Sequence, residues 1–68
     1  MKMKVNRKKL ELVMARACMS TGDLVKKSAM PRPTVNNVIM GRDVRPATLG
    51  KVARALDVDV TDILEVEE

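Results

Sequence analysis

Phenylalanine, tyrosine and tryptophan are missing from all 68 residues, and so is histidine. Each absence removes a class of function. Proteins that grip single-stranded nucleic acid, or read RNA by sequence, stack bases on aromatic side chains, and none is present to do so. Without histidine the usual general base and metal ligand is gone, and a solitary cysteine, Cys18, makes neither a zinc site nor an internal disulfide. A fold without such staples fits a reducing cytoplasm. Long apolar runs are lacking as well. None approaches the ~20 residues of a membrane helix, and the basic start MKMKVNRKK leads into no signal-peptide apolar stretch. Catalysis has little to work with: no nucleophile stands beside a base, no glycine-rich loop cradles phosphate, and the carboxylates gather toward the C-terminus. The chain reads as a non-enzyme that needs no cofactor and no metal.

What is abundant is charge, and it is placed unevenly. Residues 1–56 hold all 13 Lys and Arg against only Glu11, Asp23 and Asp43, a net +10, whereas residues 57–68 hold six acids and no base, a net −6. A basic body favours a polyanionic partner, although an ordinary solvated surface has a similar composition. With stacking residues excluded, double-stranded DNA is the polyanion that remains. The acidic tail either solubilises the chain or docks a basic protein partner.

One domain is expected over residues 1–68, with its core at about 5–65, a short basic arm before it and the acidic tail after it. A chain of this size buries only ~60% of the surface it exposes when unfolded, so the core is modest. Five helices and no strand are expected. Asn6 is a good N-cap for the first, whose apolar residues Leu10, Val13, Met14 and Ala17 form one stripe ending near Cys18. Ser20 and Asp23 make a capping-box pattern that starts a second helix to about Ser28, with Leu24 and Val25 inward and Met19 as a staple. Pro31 and Pro33 mark the start of a third helix, which runs to Met40 and stops at Gly41. After the loop RDVRP, a fourth is expected from Thr48 to Leu56 on the spacing of Leu49, Val52, Ala53 and Leu56. Asp59 and Asp62 bracket the start of a short fifth helix holding Ile63 and Leu64. Short connections between short helices predict a compact all-α domain.

Within this plan Ser20 to Gly41 is two short helices joined by a tight turn, the shape of a DNA-reading element. On the second of them Val35, Val38 and Ile39 point inward, which leaves Arg32, Pro33, Asn36, Asn37 and Met40 outside. The run L-x-x-x-x-x-M-P-R-P-T-V-x-x-V-x-x-G from Leu24 to Gly41, followed by R-P-A-T-L-G-K-V-A-R-A-L-D-V from Arg45 to Val58, resembles the Cro/CI repressor type of helix-turn-helix domain, also called the xenobiotic-response-element or lambda-repressor-like family. The likeness covers roughly residues 5–65.

That resemblance implies that the third helix lies in the major groove, with Arg32, Pro33, Asn36 and Asn37 facing bases. Arg32 has the chemistry to pair with guanine O6 and N7 or with a phosphate, and Asn36 or Asn37 with adenine N6 and N7. Pro33 offers only an apolar contact, or rigidity. The start of the second helix, Ser20 and Thr21, matches a phosphate-binding position in relatives, where Thr21 often gives way to glutamine. Arg42 and Arg45 match positions that approach the DNA backbone, and the Thr34 hydroxyl is in reach of a phosphate. Lys26 and Lys27 read as ordinary surface.

Three departures from the family pattern stand out. Many members bury an arginine of the first helix against an acid near the end of the third. Here those positions are Met14 and Ile39, which predicts a drier core. Ala29 takes a turn position where relatives favour glycine, at ~1 kcal/mol of strain if its φ is positive. Pro31-Arg32-Pro33 is an unusual opening for a reading helix. Met14, Met19 and Met30 are expected to fill a core without aromatics, and Cys18 to be a small packed residue. Relatives of this type act as two-fold dimers, so a homodimer on DNA is expected, with Val58, Val60, Ile63 and Val66 either as its patch or as closure of the monomer core. The function implied is a sequence-specific transcriptional regulator, most simply a repressor. The alternative is a protein-interaction module such as an antitoxin, with DNA binding secondary or absent.

Overall fold

Asn6 opens the first helix. In the computed structural model, which describes residues 3–65, its backbone is extended (φ −81°, ψ 115°) and its side-chain oxygen accepts from the Lys9 amide at 3.1 Å. Helix α1 then runs Arg7–Arg16 and buries Leu10 and Val13. The expected capping box starts helix α2 (Thr21–Ser28). The Asp23 amide donates to Ser20 Oγ at 3.2 Å while the Ser20 amide donates to the Asp23 carboxylate at 3.0 Å, so two otherwise orphaned donors are satisfied reciprocally. Helix α3 (Arg32–Ile39) has Pro31 at its N-cap and no side-chain cap. Pro33 in its first turn gives up an amide that has no intrahelical acceptor anyway. Helix α4 (Pro46–Ala55) begins two residues earlier than the apolar spacing predicts, because a proline at the first helical position is preset in φ.

The fifth helix is not there. Val60–Asp62 form only a 3-10 turn, with the Thr61 amide donating to Asp59 Oδ1 at 2.9 Å, so the described residues hold four α-helices rather than five. Extended pairing claims the residues that a helix would have used. Leu64 bridges Val5 in antiparallel fashion, the Asn6 amide donates to the Ile63 carbonyl at 2.7 Å, and the Glu65 amide donates to the Lys4 carbonyl at 3.0 Å. A second bridge joins Met3 to Val44 through a reciprocal pair of hydrogen bonds of 2.8 and 2.7 Å. Both are isolated bridges, so the described residues remain all-helical in class, with an extended segment, Met3–Val5, lying between the loop after α3 and the turn after α4.

All four helices end in a left-handed residue, and only one of these is glycine: Cys18 (φ 55°), Ala29 (58°), Gly41 (78°) and Asp57 (58°). Past α1, α3 and α4 the hydrogen bonds follow the Schellman pattern. The Arg42 amide donates to Asn37 and the Gly41 amide to Val38, both at 3.0 Å, with equivalent pairs at Cys18–Met19 and Asp57–Val58. The strain expected at Ala29 is therefore present. Cys18 departs from expectation. It is exposed rather than packed, because it occupies the left-handed position just beyond the apolar stripe of α1.

Leu10, Leu24, Val35, Val38, Leu49, Val52 and Ile63 form the centre of the core, and among the described residues no polar or charged residue is buried with them. Met14 and Ile39 pack against this centre from its rim, as do Met19 and Val25, while Met30 is buried outright. Burying a fully enclosed aliphatic side chain supplies ~1.5–3 kcal/mol and a half-buried one less, and an ion pair at the half-buried Met14 and Ile39 positions would have to offset its own desolvation to match even the smaller gain. Ile63 is fully buried, and Val58 and Val60 pack on the core. Ile63 thus closes the monomer and is not available to a dimer patch. Val66 and the rest of the acidic end lie outside the described residues, as do Met1 and Lys2.

Candidate nucleic-acid interface

Burial on α3 divides cleanly by face. Val35 and Val38 have no exposed surface and Ile39 is half-buried, while Arg32, Pro33, Asn36, Asn37 and Met40 are exposed. The helix rests on α2, which in turn packs on α4, so its outward face is carried on packed elements. Thr34, half-buried on the third residue of α3, sits at the flank of that face.

At the amino end of α3, Arg32 reaches back toward α2. One of its Nη atoms lies 3.9 Å from where a Cβ on Gly22 would sit. This brings a guanidinium to the start of α2, where the amides of the first turn point outward. Ser20 contributes less there than its position implies. Its amide and its hydroxyl both donate to the Asp23 carboxylate, each at 3.0 Å, so the donors left at this helix end are the Thr21 hydroxyl and the amides of Thr21 and Gly22. The Ser20 amide, then the Ser20 hydroxyl, hold the Asp23 carboxyl below its ordinary value of 3.8, with Lys26 adding a smaller pull. Asp23 is consequently ionised at neutral pH and already answers the helix dipole. A phosphate arriving at α2 meets that negative charge, and Arg32 is the group placed to offset it.

The carboxyl end of α3 is built differently. Gly41 turns the chain, Arg42 donates from Nη1 to Asn37 Oδ1 at 3.5 Å, and Val44 is pinned to Met3. The Arg42–Asn37 contact is at the long limit for a hydrogen bond, yet it orients the Asn37 amide and occupies part of its acceptor capacity. Asn36 carries no such tie to a side chain among the described residues. Arg42 and Arg45 are exposed on either side of half-buried Val44, with Arg45 at the N-cap of α4. Arg32 beside the start of α2, Asn36 and Asn37 on the outward face of α3, and Arg42 on Asn37 thus follow one another in a strip, while Arg45 is exposed at the N-cap of α4.

Arg7 is a further basic residue near this strip, and it lies outside the helix-turn-helix pattern. The alkyl stem of Arg7 crosses Gly41, with Cγ and Cδ 3.2 and 3.3 Å from where a Cβ there would lie. Nothing local in the sequence announces a contact between the first turn of α1 and the end of α3.

Away from the strip, a groove of about 710 Å³ opens between α1, the end of α2 and the end of α4. Leu12, 57% exposed, lies in it, and Lys9, Arg16, Lys27 and Arg54 are among its lining. No group of three or more Cys, Asp or Glu side chains among the described residues is placed to hold a metal ion, and no described helix is long and apolar enough to cross a membrane.

A family comparison agrees with this geometry. No curated protein and no solved structure matches the chain. Residues 9–68, however, match the Cro/C1-type HTH DNA-binding domain, a span that includes α2, α3, α4 and most of α1. The chain belongs to the family of Cro/C1-type helix-turn-helix DNA-binding domains.

Proposed function

We propose that the chain is a sequence-specific, double-stranded DNA-binding transcriptional regulator of the cytoplasm, in its simplest form a repressor that blocks transcription by occupying an operator. The carrying observation is the two-faced α3: a fully buried Val35–Val38 side and an exposed Arg32, Pro33, Asn36, Asn37 side. With α3 in the major groove, Asn36 is the side chain best suited to a bidentate adenine contact, and Arg32 takes a guanine edge or the phosphate nearest α2. Pro33 holds the helix start rigid and offers an apolar edge to a thymine methyl. Thr21, Thr34, Arg42 and Arg45 fix the register on the backbone, while Ser20 acts through the cap it makes with Asp23. Two copies on palindromic half-sites about one turn apart complete the reading.

Selection of bound duplexes from a random oligonucleotide pool tests it. A two-fold motif is expected to emerge at moderate salt, and Arg32→Ala is expected to relax one position of it, whereas Arg42→Ala weakens all duplexes alike. Failure to enrich any motif would remove sequence-specific regulation.

The Leu12 groove favours a second reading, a protein-interaction module such as an antitoxin. An exposed leucine in a groove lined by four cations against the two carboxylates of Asp57 and Asp62 suits an acidic segment of a partner protein, while the acidic tail suits a basic one. In that case changes at Leu12 or removal of the tail abolish partner capture, and changes at Arg32 and Arg42 leave duplex binding untouched.

A further inference from the structure

We infer that Arg7 is a DNA-backbone anchor acting together with Arg42 and Arg45, so that α1 takes part in the interface through its first residue. The inference rests on the DNA-binding reading above and extends it to an element that the helix-turn-helix itself does not contain.

Three observations converge on it. Arg7 is exposed at the first position of α1, and its stem packs across Gly41, the residue that turns the chain from α3 into the Arg42–Arg45 loop. The Val5 carbonyl lies 3.8 Å from the same Cβ position, so the backbone leading into α1 approaches this turn as well. The loop itself is fastened to the segment leading into α1 by the reciprocal Met3–Val44 hydrogen bonds. Arg7 and the two loop arginines therefore belong to one mechanically continuous ridge, and no described carboxylate neutralises Arg7.

Packing also gives the guanidinium an advantage over a free surface cation. A stem held against backbone loses less side-chain entropy when its head group meets a phosphate, because part of that ordering is already done. Gly41 is required twice here. Its φ of 78° favours glycine, and a Cβ would press on the Arg7 stem.

Measuring affinity against salt for the full chain on its selected duplex provides the test, using Arg7→Gln, Arg7→Lys, Arg42→Gln and, as a cation away from the strip, Arg16→Gln. Each phosphate contact adds a slope of about −0.9 to log affinity against log salt. Arg7→Gln should flatten the slope by about one contact, so that its affinity falls roughly threefold less than that of the parent chain between about 50 and 200 mM salt. Arg7→Lys should restore most of the slope because the charge returns, whereas Arg7→Gln keeps the Cγ and Cδ that lie over Gly41 and so isolates the charge from the stem, and Arg16→Gln should leave the slope unchanged. If Arg42→Gln flattens the slope and Arg7→Gln does not, the inference about Arg7 is overturned while DNA binding stands. If neither flattens it, the inference is overturned together with the backbone role of Arg42, and only a chain with no measurable salt-dependent duplex affinity would remove the DNA-binding reading itself. Equal flattening by Arg16→Gln would show a net-charge effect and also overturn the inference.

Discussion

The two ends of α3 reach the same result by different means. Each is flanked by a left-handed residue, Ala29 before and Gly41 after. At the amino end, order comes from neighbours in sequence: a capping box at Ser20 and Asp23, prolines at 31 and 33, and an arginine folded back onto α2. At the carboxyl end it comes from far along the chain, with Arg7 packed on Gly41 and Met3 paired to Val44. The first end tolerates a residue with a side chain in the left-handed position, and the second has no room for one without displacing the Arg7 stem. A turn's sequence thus reflects what presses on it as much as the φ it needs.

The largest expected effects lie on the reading face between these ends. Asn36→Ala should cost about 1–3 kcal/mol of discrimination at one base pair, and Asn37→Ala less, because Arg42 already engages the Asn37 carbonyl. Binding to single-base variants of the selected duplex checks this, and equal losses would mean that the Arg42 contact does not bias the two amides.

Next come the turns themselves. Gly41→Ala should lower stability by about 1–2 kcal/mol, since it adds left-handed strain and crowds Arg7. Ala29→Gly should raise stability by about 0.5–1 kcal/mol, the relief of strain being partly offset by added freedom in the unfolded chain. Urea unfolding followed by far-ultraviolet circular dichroism measures both, as the chain has no aromatic fluorophore. A Gly41→Ala loss larger than the Ala29→Gly gain supports the contrast between the ends, and equal magnitudes break it.

The smallest effect concerns the capping box. Because Ser20 holds the Asp23 carboxyl below its ordinary value, the folded state binds its proton more weakly than the unfolded one. The stabilisation is therefore complete above the ordinary carboxylate pKa and drains away as pH falls through the folded value. Asp59, held down by the Thr61 amide and then its hydroxyl, acts in the same sense at the turn after α4. Thermal midpoints compared between neutral and acid pH should fall less for Asp23→Asn than for the parent chain.

Legibility in the sequence followed the range of the interactions. Asn6, Ser20 with Asp23, Pro33 and Gly41 act within a turn of the chain, and the structure bears out each as an element boundary. The faces of α3 were legible because helical periodicity fixes them once Val35 and Val38 are known to be apolar. The pairings of Met3 with Val44 and of Val5 with Leu64 leave no periodic trace, and their omission is why the residues around Ile63 were expected to be helical. Cys18 and Asp57 were not read as left-handed, since neither type advertises that conformation as glycine does. The strip that the outward residues form was legible as a set, but the commitment of Ser20 to Asp23 and the approach of Arg7 depend on side-chain geometry that spacing does not encode.

The extended segment Met3–Val5 has a consequence for the order of events during synthesis. Its partners are made late: Val44 follows α3, and Leu64 comes near the end of the described chain. A nascent chain with α1, α2 and α3 already out of the ribosome still lacks the pairing that fastens the segment, and Val5 stays uncovered until residue 64 emerges. The loop after α3 can thus be pinned at Val44 before Val5 meets its partner, so a product cut short before residue 64 carries the segment only half fastened.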